Sequence, residues 1–239
     1  MIPASGDRVL RLAVRTAAKR DNRPEENEDS AGGRADSGRF AVSDGASTTA
    51  RADVWSELLT DAFINGDDPL APDVLGALRQ QWWERVATPG LAWHAREKLH
   101  RGSAATFLGV RVDADGYLVT AVGDSCLLHI SDGRLVLAAP LDDWTEFSRF
   151  AELVHTTPDT PVPPEHVRSA SGPLSDGDIL LLATDAVAKY LLRHHAETGG
   201  LPPLIEHVDD DDRFADFIER AREQQELDDD DSTVCVVWA

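Results

Sequence analysis

The residues in this sequence best equipped for chemistry are carboxylates that stand where apolar segments begin or end. Asp44 closes "FAVSD", Asp124 interrupts "YLVTAVGD", and Asp185 closes "DILLLATD". Asp230 or Asp231 opens the last apolar run, "STVCVVWA". Glu28 and Asp29 lie in the polar stretch ahead of the segment that carries Asp44. A carboxylate at the rim of a buried sheet is costly unless it is paired or bound to a cation. One such residue is an ordinary turn aspartate. Several, each beside Gly, Ser or Thr, point to a single cleft. Oxygen ligands without His or Cys select hard cations, Mg²⁺ or Mn²⁺ over Zn²⁺. Two such ions sharing a carboxylate would lie about 3.5–4 Å apart and acidify a bridging water, a design for cleaving a phosphate ester. Spacing alone leaves scattered turn aspartates as the competing reading.

The elements that must position these residues can be read from periodicity. "RVLRLAVRTAA" and "RFAVSDGAS" read as strands, and the polar 18–39 stretch between them reads as loop. Trp55, Leu58, Leu59, Ala62 and Phe63 form a helical stripe, and Leu75, Leu78, Trp82, Trp83 and Val86 form another. "LAWHAREKLH" is expected to be a third helix. Next comes a β-rich run, "SAATFLGVRV", "YLVTAVGDSCLLHI" and "RLVLAA", joined by Asp-Gly turns. "TTPDTPVPPEH" is expected to be an irregular excursion. "GDILLLATDAVAKYLL" reads as a buried strand entering a helix, and "STVCVVWA" as the final strand. Such an order is α+β rather than regular βαβ alternation, and two antiparallel sheets covered by helices would fit it.

Composition narrows the partners. Of 239 residues, 42% are hydrophobic, enough for a sizeable core in one domain spanning 1–239. The net charge is -20, from 43 acidic and 23 basic residues. This argues against nucleic acid and anionic membrane as partners, since both recruit Lys and Arg. Two cysteines, Cys126 and Cys235, form no disulfide framework, and no segment has transmembrane length, so a soluble cytoplasmic protein is expected. The acidity includes two runs of four aspartates. The run at 209–212 precedes a helical pattern, where aspartates cap free N–H groups. The run at 228–231 precedes a strand, so capping does not explain it.

Six segments occur in a telling order: "NEDS" (27–30), "FAVSDGAS" (40–47), "GSAATFLGV" (102–110), "AVGDSCLLHI" (121–130), "GDILLLATDAV" (177–187) and "DDSTVCVV" (230–237). Together the chain resembles the metal-dependent Ser/Thr protein phosphatases of type 2C, in their bacterial form. The resemblance implies a four-layer α-β-β-α sandwich of two antiparallel sheets flanked by helices. It implies hydrolysis of phosphoserine and phosphothreonine in proteins by a metal-bridged water, with two Mg²⁺ or Mn²⁺ ions and an uncertain third. The substrate would be a phosphoprotein produced by a Ser/Thr kinase. Asp44 would bridge the two metals and the carbonyl of Gly45 would bind one of them. Asp185 and a terminal aspartate would bind the other. The distance to Thr233 selects Asp230 for that role, with Asp231 as runner-up. Glu28 and Asp29 would hold metal-bound waters, and Asp124 matches a residue of the third site. Arg23, with Arg20 behind it, corresponds to the phosphate-binding arginine, displaced by one place.

The chain departs from the family pattern at four positions. Ala46 stands where many members carry a proposed proton-donating His, leaving protonation of the leaving group to metal-bound water. Ala186 replaces a Gly, and Lys189 replaces an aspartate tied to the third metal. Cys126 replaces a common Arg and reads as core rather than redox-active. These departures keep a second reading open: a phosphatase-like module that senses a phosphoprotein or small ligand without efficient turnover. A loose Ca²⁺-binding acidic protein is the blandest alternative.

Overall fold

The computed structural model describes residues 9–88, 93–147, 151–158 and 160–239. Two five-stranded antiparallel sheets dominate it. The first runs β1 (Arg11–Ala17), β12 (Ser232–Trp238), β11 (Ile179–Ala183), β7 (Cys126–Ser131) and β8 (Arg134–Ala139) across its width. The second runs β10 (Arg168–Gly172), β6 (Gly116–Val122), β5 (Phe107–Asp113), β3 (Arg39–Ser43) and β2 (Ser30–Arg34). A two-stranded pair, β4 (Ala104–Ala105) and β9 (Val154–His155), stands apart. The helices are α1 (Ala52–Ile64), α2 (Pro72–Val86), α3 (Trp93–Arg101), α4 (Asp185–Thr198) and α5 (Asp211–Glu223).

Side-chain alternation explains the layering. In β11, Leu180 and Leu182 face the second sheet, while Leu181 and Ala183 face α4 and α5. In β12, Cys235 and Val237 point between the sheets, and Val234 and Val236 point to the same helices. β3 does likewise on the other side: Phe40 and Val42 enter the inter-sheet core, and Ala41 meets the layer of α1 and α2. Strands buried on both faces read as unbroken apolar runs, which is why "ILLLA" and "TVCVV" lack a polar alternation. The resulting order is helices, sheet, sheet, helices, the four layers expected from the sequence. Each fully buried leucine of the inter-sheet core contributes about 1.5–3 kcal/mol of transfer free energy.

Two expectations need correction, and one strand carried no expectation. The 18–39 stretch is not all loop, because Ser30 to Arg34 pair with β3 as β2. Gly32 and Gly33 depress its strand propensity, so only the neighbouring strand reveals it. The segment "RSASG" of β10 pairs with β6 and was likewise invisible, being small and polar. "YLVTAVGDSCLLHI" is two strands in different sheets: β6 ends at Val122, and β7 starts at Cys126. Gly123, at φ 101, makes the crossing, a backbone conformation open to glycine at little cost. Residues 91 and 92, placed at the start of the third helix, and Asp159 of the Pro-rich excursion lie outside the described residues. The 209–212 run behaves as expected: Asp210 accepts from the Arg213 N–H at 3.0 Å and caps α5.

Candidate metal centre

Asp44 follows β3 directly and is fixed from both backbone ends by Thr106, which joins β4 to β5. The Asp44 N–H donates to the Thr106 hydroxyl at 2.9 Å, and the Asp44 carbonyl accepts from the Thr106 N–H at 2.8 Å. Gly45 is required by close approach: a Cβ there would stand 2.6 Å from the Glu28 carbonyl oxygen and 2.8 Å from the Ala52 Cβ. Asp185 is the first residue of α4 and accepts from the Ala186 N–H at 2.6 Å. Asp124 occupies the crossing between the sheets and is buried. Asp29 immediately precedes β2; its Oδ2 accepts from the Thr184 hydroxyl at 3.0 Å.

These carboxylates share one electrostatic environment. Burial, reinforced by Asp29, Asp185, Asp124 and Asp230, holds the Asp44 carboxyl well above the usual carboxylate range. Burial pushes Asp29 up to about 8, with the Thr233 and Thr184 hydroxyls opposing and Asp231 and Asp185 adding to the rise. Asp124 rises to about 7, through burial and the nearby Asp185. Asp185 rises to about 6, through burial and Asp230, against a hydrogen bond from the Ala186 N–H. Like charges forced together out of water resist ionisation in this way. Among the described residues, Asp230 is the only one of these five with an ion-pair partner, the Lys19 ammonium at 3.9 Å.

Among the described residues no three His, Cys, Asp or Glu side chains already close around a point as a ready-made coordination shell. The donors nonetheless fit a hard divalent cation. Asp29, Asp44, Asp124 and Asp185 supply carboxylate oxygens with no His or Cys among them, and the Asp29 Oδ1 is buried without a well-formed hydrogen bond. A buried, unpartnered carboxylate oxygen among like charges is what such a cation satisfies.

The terminal aspartates divide their work. Asp231 is buried and spends both oxygens on backbone: Oδ1 accepts from the Lys19 N–H and Oδ2 from the Glu28 N–H, each at 2.9 Å. Asp230 is half exposed and acts on both Asp44 and Asp185. Asp228 takes the Lys189 ammonium at 2.6 Å, and Asp229 accepts from the Arg20 N–H at 3.0 Å. Glu28 is held by its backbone, the N–H on Asp231 and the carbonyl under the Ser56 hydroxyl at 2.7 Å.

Of the cations, Arg23 is paired with Glu26 on the surface, and Arg20 with Glu219. Lys19, which sequence reasoning overlooked, stands beside Glu28 and Asp230. Its Nζ donates to the Ser47 hydroxyl at 2.9 Å and stands 3.7 Å from Glu28. Cys126 is buried and its thiol is pushed up to about 12 by burial, so it is core.

The sequence profile described as Protein phosphatase 2C matches residues 18–232. The chain belongs to the protein phosphatase 2C family. Its function is therefore metal-dependent hydrolysis of phosphoserine and phosphothreonine in proteins. No curated protein matches the chain significantly. Solved structures match in fold. The catalytic domain of the serine threonine protein phosphatase PstP, in complex with two manganese ions, superposes with a TM-score of 0.60 at 19% identity, covering 96% of this chain and 98% of that one. PppA of Pseudomonas aeruginosa, described as a key regulatory component of T6SS, gives 0.59 at 20% identity, with 97% and 98% covered. Serine/threonine phosphatase Stp1 from Staphylococcus aureus gives 0.61 at 16% identity, with 97% and 96% covered.

Proposed function

We propose that the acidic cleft holds two divalent cations, Mg²⁺ or Mn²⁺, and is the catalytic site of this family member. The observation that carries this is the convergence of Asp29, Asp44, Asp124, Asp185 and Asp230, with the Asp29 Oδ1 lacking a well-formed hydrogen bond. Asp44 and the Gly45 carbonyl would be shared or first ligands, Asp185 and Asp230 would complete a second ion, and Glu28 and Asp29 would support them. Asp124 would serve a third, weaker ion; Lys189, turned to Asp228, contributes no carboxylate there. When bound, the cations would supply Lewis acidity that neutralises the phosphate and acidifies water for in-line attack. The protein would orient the phosphate through Lys19, whose ammonium lies between Glu28 and Asp230. Arg23 remains a candidate for a second, peripheral contact. Position 46, an alanine, offers no proton donor, so a water in the site rather than a side chain there would protonate the leaving alkoxide.

The substrate would be a phosphoprotein generated by a Ser/Thr kinase, met in the cytoplasm. No helix among the described residues is long and apolar enough to cross a membrane. The test is hydrolysis of para-nitrophenyl phosphate and a phosphothreonine peptide with Mn²⁺, Mg²⁺ or chelator. Turnover should need the metal and vanish in Asp44→Asn with the fold intact. Phosphopeptide binding without metal-dependent turnover would instead establish a sensing module.

A further inference from the structure

Arg222, on α5, is the one buried Lys or Arg among the described residues, at 6% exposure. Its guanidinium does not serve a carboxylate first. Nη1 donates to the Ala18 carbonyl at 2.9 Å. Nη2 donates to the Asp230 carbonyl at 2.6 Å, the Ser232 hydroxyl at 3.1 Å and the Ala17 carbonyl at 3.4 Å. Nε has no hydrogen bond and lies 3.9 Å from Asp229. The location matters. β1 and β12 pair as far as Ala17 opposite Ser232, and past that rung the strands part. The carbonyls of Ala18 and Asp230 lie beyond the ladder, and Arg222 bridges them. The next residue on one side is Lys19; on the other is the Asp230 side chain itself. Asp231 closes the same joint from inside, through the N–H groups of Lys19 and Glu28.

We propose that Arg222 is a positioning residue for the metal centre: its fork locks the Lys19 and Asp230 turns together, so that carboxylate and ammonium meet the cleft in fixed register. This rests on the catalytic reading of the cleft given above. A planar guanidinium suits the task because it reaches several acceptors at fixed angles, which a lysine ammonium does not. Residues behind the ligands commonly govern metal affinity in this way.

The test compares Arg222→Met, Arg222→Lys and Ser232→Ala with wild type. Ser232→Ala removes a single acceptor of the fork and leaves the buried guanidinium in place, so it reports even if Arg222→Met does not fold. Three quantities are measured: Mn²⁺ affinity by calorimetry, kcat and KM for para-nitrophenyl phosphate, and hydrogen exchange at the Lys19 and Asp231 amides. Arg222→Met should weaken Mn²⁺ binding about 10- to 100-fold, the range typical of lost support behind a metal ligand. It should also raise KM and speed exchange at both amides, with Arg222→Lys intermediate and Ser232→Ala smaller in the same direction. Faster exchange or a lower melting temperature with unchanged Mn²⁺ affinity and KM would reduce Arg222 to a structural tie and overturn the proposal, as would unchanged exchange. Wild-type protein that binds Mn²⁺ without turnover would sink the catalytic reading alone, since affinity and exchange still report on Arg222.

Discussion

Asp124→Asn should stabilise the metal-free protein, and more so as the pH rises. In the fold the Asp124 carboxyl is raised from its ordinary value of 3.8 to about 7, by burial and by the nearby Asp185. The sign follows from proton binding. The folded state holds its proton more tightly than the unfolded chain, so this group favours folding at low pH. That contribution is lost progressively between 3.8 and about 7. Above about pH 7 the cost reaches about 4 kcal/mol, and at about pH 5.5 it is about 2 kcal/mol, taking ~1.4 kcal/mol per pH unit. Water and counter-ions entering the cleft screen part of this, so about half of the ~2 kcal/mol difference is expected to survive. The asparagine is neutral throughout, and its packing effects cancel between the two conditions. The assay is thermal unfolding with chelator present, at about pH 5.5 and about pH 8. The advantage of Asp124→Asn should grow by about 1 kcal/mol, or ~2–4 °C for a chain of this size. An equal shift at both pH values, or a loss at the higher one, would refute the shared electrostatic cleft.

Other outcomes are expected from the same geometry. Lys19→Met should raise KM for para-nitrophenyl phosphate about tenfold or more, as expected for a lost charge-assisted contact, whereas Arg23→Ala should change it less; steady-state kinetics on both variants separates the two cations. Gly45→Ala should cost about 1–3 kcal/mol in urea unfolding, because the added methyl meets the Glu28 carbonyl and Ala52. Leu182→Ala, in the inter-sheet core, should cost about 2–5 kcal/mol by the same measurement while leaving the metal requirement of turnover intact.

What could be read from sequence depended on how each residue reports its surroundings. β11 and β12 were plain because burial on both faces leaves an unbroken apolar run. β2 and β10 were hidden because their small residues owe strand geometry to a partner rather than to propensity. The carboxylates at the strand ends were visible as an electrostatic anomaly, and the fold brings them to one cleft. Asp230 and Asp231 are chemically identical neighbours, and the engagement of Asp231 by the backbone amides of Lys19 and Glu28 left no trace in the local sequence. Lys19 gave no local signal: it approaches Asp230 because β1 and β12 are antiparallel neighbours, a fact of topology. Arg222 gave no local signal for the same reason.

β12 lies between β1 and β11, although it follows β1 by more than two hundred residues. Its insertion closes very long chain loops, a step that makes folding slow relative to locally connected topologies. During synthesis, β1 must wait for its neighbour until residue 238 has cleared the ribosome. Lys19 and Asp230 therefore meet only in the finished sheet, and a chain cut short of β12 cannot bring that ammonium and that carboxylate together.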